Sequence, residues 1–543
     1  MRAELSPAAT DEIFMTINRA ARIAGSRTVR HAGLVIIAVA ALGARATAAA
    51  DCLTTSTPAL TTVIVDGSTV YGPAQVFATY RDQLGRPLSR DGVRVISGAI
   101  STALVNRYIT DGFVKPEVRV DPDTTHGILR VHVFEAQVTN VVIEGDAGRQ
   151  RPALERIAAK LEGTRPLRQD DVPQTLRSMR AISGLSVNAS TRRDATVRNA
   201  FELVVTTDFS PVDGVVRMSN RGTDQVGPHF LLGQVFVNGV FGGQDKLGLI
   251  FASATDPDEY LGGGLYFDTP IGDGGTRANA LLFRSDSAPN EVPVNFDDEY
   301  ARERATFKLS RPLGHSPSLA LTLAVGVEAD DLAIERSGSI IREDRLRIAE
   351  TSLRVNWRGA HAIQYSANLL VRKGFDTFGG GLQSADLADD PRRADFLVTQ
   401  LQSTIYRRFA EDWALRFDGF AQHSGYVLPD SERFKIGGDR LGRGFEVAEI
   451  AGDRGVGGKL ELRRDLVNTE TLFGRVSAYG FYDFGAAWKQ DRVGRESAAT
   501  TGSGFSISGA ALTGYLEIAA PLTGTDVEGK RKTSVFAEIS YRF

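Results

Sequence analysis

The sequence predicts a membrane all-β protein, a roughly 16-stranded transmembrane β-barrel preceded by two small α+β domains. Three observations carry that expectation. The longest apolar run, residues 32–44, is too short for a spanning helix of about 20 residues. From about residue 211 onward, segments that alternate apolar and charged residues replace helical periodicity. The joins between those segments alternate between short and long, as the turns and loops of a barrel do.

The apolar run follows Arg19, Arg22, Arg27 and Arg30 and is followed by Ala48, Ala49 and Ala50. That pattern reads as a secretory signal peptide over 1–50, with cleavage after Ala50 and Met15 as an alternative start. The lone Cys52 excludes an internal disulfide and a cysteine-based metal site. Asp51 stands where a lipoprotein signal needs a small residue, so Cys52 is not read as lipidated. An exported chain without a spanning helix crosses lipid only as a closed barrel. A net charge of -3, with no basic stripe, argues against nucleic-acid binding. No cofactor or metal site is expected, and no G-x-x-x-x-G-K-S/T phosphate loop occurs.

After a short segment over 51–60, two units with the order β-α-α-β-β are expected, over 61–136 and 137–209. The first has strands over 61–65, 117–120 and 127–134 and helices over 73–84 and 91–108. The second has strands over 138–144, 185–190 and 200–206 and helices over 151–161 and 170–182. Leu154, Ile157, Ala158 and Leu161 fall on one side of a helix. Gly112 and Gly184 stand where left-handed C-terminal caps belong. A three-stranded sheet leaves an open edge that accepts an extended peptide.

The barrel is expected over 210–543, its strands starting near residues 212, 229, 244, 260, 275, 298, 317, 345, 362, 393, 412, 455, 473, 502, 512 and 533. Leu319, Leu321, Leu323, Val325 and Val327 share one face, and Lys459, Glu461 and Arg463 share the charged face of another strand. Long joins are expected over 286–297, 329–344, 374–392, 426–454 and 486–501, and short ones over 241–244, 271–275, 359–361 and 410–412. One loop carries Arg443-Gly444-Phe445. The strand near 473 carries Phe481, Asp483 and Gly485, with Asp483 on the face of Arg475, Ser477, Tyr479 and Phe481. The last strand puts Val535, Ala537, Ile539, Tyr541 and Phe543 on one face.

The two N-terminal units resemble POTRA domains, and the VFEAQVTNVVIEG junction is the best local piece of that likeness. With an R-G-F loop before the twelfth strand and F-x-D-x-G on the thirteenth, the mature chain resembles the TpsB family. These are the FhaC/ShlB/HecB-type outer-membrane transporters of two-partner secretion. The family loop usually reads V-R-G-F/Y; here Gly442 precedes Arg443. The family also tends to carry an N-terminal plug helix, for which 51–60 offers little room.

The resemblance implies a bacterial outer-membrane pore with its POTRA domains in the periplasm. It implies export of one unfolded TpsA-type exoprotein, a β-helical adhesin or haemolysin, without ATP. It further implies a loop folded into the lumen and locked there by Arg443 on Asp483, with Gly444 giving close approach and Phe445 packing on the wall. Tyr541 and Phe543 resemble the signal read by the barrel-assembly machinery. The chain is expected to be a monomer in outer-membrane lipid and not an enzyme. His423 and Ser424 are adjacent on a strand, point to opposite faces and cannot cooperate. The alternative is a barrel-assembly or insertase protein of the same superfamily.

Overall fold

The structure, a computed structural model, describes residues 57–543 except 224–225, 242, 273, 290–297, 317, 386–389, 470–472 and 525–531. The expected signal peptide and Cys52 lie outside the described residues. The chain divides into two compact units. The first lies within Met1–Ala147, Leu154–Arg180 and Ser186–Asp208, and the second takes Gly148–Ala153, Ala181–Leu185 and Phe209–Phe543. Among the described residues no helix is long and apolar enough to cross a membrane.

Two α+β folds come first. One is built from β1 (Thr62–Asp66), α1 (Pro73–Phe77), α2 (Arg90–Thr110), β2 (Glu117–Asp123) and β3 (Ile128–Phe134). The other uses β4 (Gln137–Gly145), α3 (Arg151–Ala158), α4 (Asp171–Arg180), β5 (Leu185–Arg193) and β6 (Ala200–Phe209). The sheets run β1-β3-β2 and β4-β6-β5, and in each the first strand is parallel to the central one. A parallel pair needs a crossover, which the two helices supply. On α2, Ile96, Ile100, Leu104 and Tyr108 recur every four residues, and all lie in one buried cluster with Leu129, Val131 and Val133 of β3. The Ser89 hydroxyl caps that helix by accepting from the Gly92 N–H at 3.1 Å. Gly112 and Gly184 adopt φ of 83° and 73°, conformations that cost a side chain about 1–2 kcal/mol.

One expectation fails here. The helix read over 73–84 is five residues of α1 followed by a 3-10 turn over Arg81–Gln83. The chain tightens after Phe77: the Thr79 and Tyr80 N–H groups bond to Val76 and Phe77, three residues back, and the Thr79 hydroxyl also donates to the Val76 carbonyl.

Glu135, just after β3, is a buried carboxylate with a full set of donors. It accepts from the Tyr108 hydroxyl at 2.6 Å, the Thr69 N–H at 2.7 Å and the Thr69 hydroxyl at 2.7 Å. Arg165, which precedes α4, donates its Nε at 3.3 Å and reaches the Gly67 carbonyl at 3.1 Å through a second nitrogen. One anion thereby joins the two folds. Burial, and then the bond to Glu135, raise the Tyr108 hydroxyl well above its ordinary value, so it stays protonated and donating.

The barrel comprises β7 (Val212–Ser219), β8 (Phe230–Asn238), β9 (Lys246–Ala254), β10 (Leu261–Ile271), β11 (Thr276–Ser287), β12 (Asp298–His315), β13 (Leu319–Arg336), β14 (Ser339–Arg358), β15 (Ile363–Phe375), β16 (Gly381–Ser384), β17 (Leu397–Arg408) and β18 (Trp413–Ser424). After a long loop holding β19 (Phe434–Ile436) and β20 (Ile450–Gly452) come β21 (Arg454–Asn468), β22 (Arg475–Trp488), β23 (Glu496–Ser508), β24 (Leu512–Pro521) and β25 (Ser534–Arg542). Each circuit strand pairs antiparallel with its neighbours, and β25 pairs with β7 to close the ring. The four-residue β16 pairs with β14 above the end of β15, so sixteen strands make the circuit and β16 is an addition to it. The faces alternate. Val325 and Val327 are 45% and 57% exposed while Glu328 is 6% exposed, and Leu516 and Ile518 are 53% and 51% exposed around a buried Glu517. Apolar side chains therefore face lipid and charges face the lumen.

Three joins differ from expectation. The long loop expected over 329–344 is a two-residue turn at Ser337 and Gly338, with φ of 50° and 78°, between two very long strands. Its charges read as loop, yet they pair across the sheet: Arg336 with Asp298 at 2.6 Å, Arg302 with Asp330 at 2.5 Å, and Arg347 with Asp331. The join expected over 486–501 shrinks to the residues between Trp488 and Glu496 because β22 and β23 run further. The join expected over 241–244 is longer, from Asn238 to Lys246.

Glu135→Ala leaves the Tyr108 hydroxyl and the Thr69 N–H without their buried acceptor, and should destabilise the N-terminal unit by about 2–4 kcal/mol. Thermolysin cleavage within 57–208 is expected at lower urea than in the parent, with the barrel still intact; an unchanged midpoint would show that Glu135 carries no such weight.

Candidate functional site

The loop between β18 and β21 is folded into the barrel. Its limbs pair as β19 and β20, with Phe434 opposite Gly452 and Ile436 opposite Ile450. Beyond them the chain turns sharply. The Gly437 N–H donates to the Leu441 carbonyl at 2.8 Å and the Phe445 N–H to the Gly442 carbonyl at 2.9 Å. Gly442 has φ of 82°, and a Cβ there would lie 2.8 Å from Ile436 Cγ2. A β-branched residue at that position would be strained, which accounts for glycine before Arg443 in this chain.

Phe434, Ile436, Leu441 and Phe445 of the loop form one buried cluster with Phe420, Ala487 and Ala498 of the wall. The wall makes room by omitting side chains. A Cβ on Gly455 would lie 2.0 Å from the Phe434 ring, one on Gly457 2.4 Å from Leu441, and one on Gly485 3.0 Å from Ile436. Gly444 meets the far side of the tip, where a Cβ would sit 2.8 Å from Thr500 Cγ2 and 2.9 Å from the Pro521 nitrogen.

At the tip Arg443 is buried, and its guanidinium grips Asp483 with a two-pronged fork. Nε donates to Oδ2 at 3.0 Å, Nη2 donates to Oδ1 at 2.8 Å, and the Arg443 backbone N–H adds a third bond at 3.1 Å. The guanidinium lies over the Phe481 ring, 3.5 Å from its centroid. Nη1 faces Glu461 at 3.3 Å and Glu517 at 3.5 Å. Glu517 in turn accepts from the Tyr479 hydroxyl at 2.8 Å and pairs with Arg221. Asp483 is fully buried on β22 while its neighbours Tyr482 and Phe484 are 42% and 41% exposed on the lipid face. Such a desolvated pair costs about 3–5 kcal/mol to break by removing one member, against under about 1 kcal/mol at a wet surface.

The structure thus brings together Arg443, Gly444, Phe445, Phe481, Asp483 and Gly485. Tyr541 and Phe543 lie elsewhere, stacked at 6.4 Å and half exposed on the lipid face, with Phe543 bonded to Gly214 of β7 in both directions. Glu461 and Glu517 escaped the sequence reading as partners of Arg443, although Glu461 was on the charged face recognised in its strand. Asp453 escaped it altogether. That buried carboxylate holds the loop's base by accepting from the Leu428 N–H at 2.8 Å and the Gln490 N–H at 2.7 Å.

A sixteen-stranded barrel with a loop docked in its lumen, preceded by POTRA-like folds, defines the class: a bacterial outer-membrane barrel with periplasmic POTRA domains. Residues 202–509 match the family described as haemolysin secretion/activation protein ShlB/FhaC/HecB, more than half of the chain, and the chain belongs to that family. A curated relative, the outer membrane transporter CdiB of Dickeya dadantii (strain 3937), is 21% identical over 372 residues, 66% of this chain. That match spans 64% of the relative's length. Two solved structures share the fold. CdiB from Escherichia coli has a TM-score of 0.73 at 17% identity over 100% of both chains, and CdiB from Acinetobacter baumannii has 0.63 at 14% identity over 90% of both. BamA from Haemophilus ducreyi lacking POTRA domains 1-3 superposes with a TM-score of 0.50 at 14% identity, covering 89% of this chain and 99% of that one.

Gly444→Val should drive the tip off the wall. Trypsin cleavage of the detergent-solubilised protein after residue 443, blocked in the parent by burial of Arg443, is expected to rise at least about tenfold, the equivalent of ~1.4 kcal/mol. Cleavage at the parental rate would mean the wall yields instead.

Proposed function

We propose that this chain is an outer-membrane pore that exports one dedicated TpsA-type partner, in unfolded form and without ATP, by two-partner secretion. The observation that carries the reading is the buried fork of Arg443 on Asp483, which holds a folded-in loop across a water-lined lumen. Membership of a secretion family supports it, as does likeness to a protein named as an outer membrane transporter. In this reading 61–136 and 137–209 are the two POTRA-like domains and 210–543 the barrel. The partner first docks in the periplasm along an open POTRA sheet edge, where main-chain bonds give affinity without demanding one sequence. It then threads the lumen as the loop withdraws, and folding outside supplies direction.

Within this reading Arg443, Gly444 and Phe445 are the lock, Asp483 its anchor, and Phe481 and Gly485 the ring and the gap that receive it. Tyr541 and Phe543 serve assembly, the mature chain works as a monomer in lipid, and it performs no enzymatic step. The insertase alternative draws on the BamA-like barrel; the family match over 202–509 favours secretion.

Arg443→Ala leaves Asp483, Glu461 and Glu517 converging on an empty place, so the tip of the loop loses its anchor while the wall ladder is untouched. Co-expressed with a TpsA-type partner that the parent protein exports, this variant is expected to release at least about a hundredfold less partner, in line with ~3–5 kcal/mol, at a parental level of heat-modifiable barrel. Parental export would refute the lock.

A further inference from the structure

The loop touches the wall in a second place, and there the charges are reversed. Before reaching β19 the chain passes Leu428, fully buried against Leu346, Ile348, Phe396 and Val398. Glu432 follows, 5% exposed, its carboxylate gripped by Arg372 of β15. Nε donates to Oε2 at 2.9 Å and Nη2 donates to Oε1 at 3.0 Å. This is the same two-pronged fork that Arg443 makes on Asp483, with the arginine on the wall and the carboxylate on the loop. Arg372 also meets Glu350 at 2.7 Å and Glu328 at 3.2 Å. Those two wall carboxylates have cations of their own, Lys308 at 2.6 Å and Arg304 at 3.4 Å. Glu432 is therefore the partner that the loop brings to Arg372.

The two contacts flank the loop's parent strands. Around the ring the order is β15, β17, β18, β21, β22, so Arg372 stands on one side of the loop's roots and Asp483 on the other. A loop held at two points eleven residues apart, at Glu432 and Arg443, rebinds quickly at either one while the other holds, because the tether keeps the local concentration high. The reversed charges also forbid the loop from seating with its base and tip exchanged, since each end would then meet its own sign.

We infer that Glu432 and Arg372 form a second latch on the infolded loop, and that the loop leaves the lumen only when both ion pairs open. As a gate the latch matters only if the chain transports, as proposed above; as a tether it can be measured with no cargo present. Glu432→Gln keeps the side-chain shape and removes the charge. Hydrogen–deuterium exchange of the full-length protein in detergent, read by mass spectrometry, compares the parent, Glu432→Gln, Arg443→Ala and the double variant. Glu432→Gln is expected to speed exchange over 428–436 at least about tenfold and leave 441–445 and β22 at parental rates. Arg443→Ala should do the converse, and only the double variant should free the whole of 425–453 and raise the open fraction of single channels in planar bilayers. Glu432→Asp, with the charge retained, should move exchange back toward the parent. Parental exchange over 428–436 in Glu432→Gln, or release of the entire loop by either single substitution, would overturn the second latch. Absence of partner export by the parent protein, with these exchange rates in place, would count against the transport reading alone.

Discussion

An unpartnered backbone N–H or C=O in hydrocarbon costs several kcal/mol, so a chain that crosses lipid with strands alone must close them into a ring. Here the closing contact is β25 on β7, running from Glu538 opposite Ser219 to Arg542 opposite Val215. The rest of the unit depends on that closure. A ring of this size encloses water, and water in the lumen permits the inward-facing Arg, Asp and Glu that would be intolerable toward lipid. Without a lumen lined by charges there would be nothing for the loop to grip.

The loop's seat combines two kinds of contact that fail in different ways. Its apolar residues fill gaps left by glycines, an attraction that is non-directional and tolerant of small shifts. Its ion pairs are forks, which fix angle as well as distance. A desolvated ion pair is poor evidence of net stability, since burying both charges costs much of what their attraction returns. What it does confer is a sharp difference between seated and unseated states. An element that must be either in or out needs that difference more than it needs extra stability. The Glu135 junction in the N-terminal unit combines neutral donors from the first fold with the Arg165 guanidinium from the second, fixing how two folds meet through one anion.

Much of this architecture was legible in the amino-acid pattern because lipid on one side and water on the other impose a strict period of two. Val325, Val327 and Glu328 announce their faces unaided. The pattern misled where charge was dense. The stretch from Ala329 to Asp344 reads as a solvated loop, and only cross-strand pairing, which periodicity does not report, makes it strand. Arg443 and Asp483 came to attention through family likeness, since nothing in their separation says that they meet. Glu432 gave no signal at all. It lies in irregular chain with no repeat, and its importance comes from Arg372, a residue that looks like any other inward-facing charge. The break after α1 was equally hidden, because both i+3 and i+4 bonding suit the apolar spacing there.

Gly457 and Gly485 stand directly opposite each other on β21 and β22, with Gly455 two residues further along, and all three are covered by Phe434, Ile436 and Leu441 while the loop is home. Were it to withdraw, as the proposed transport requires, that stripe would be bare main chain. A polypeptide sliding past would find no knobs to catch its own side chains and no pocket to favour one residue over another. The same omission that seats the loop so closely would leave a low-friction rail in its absence.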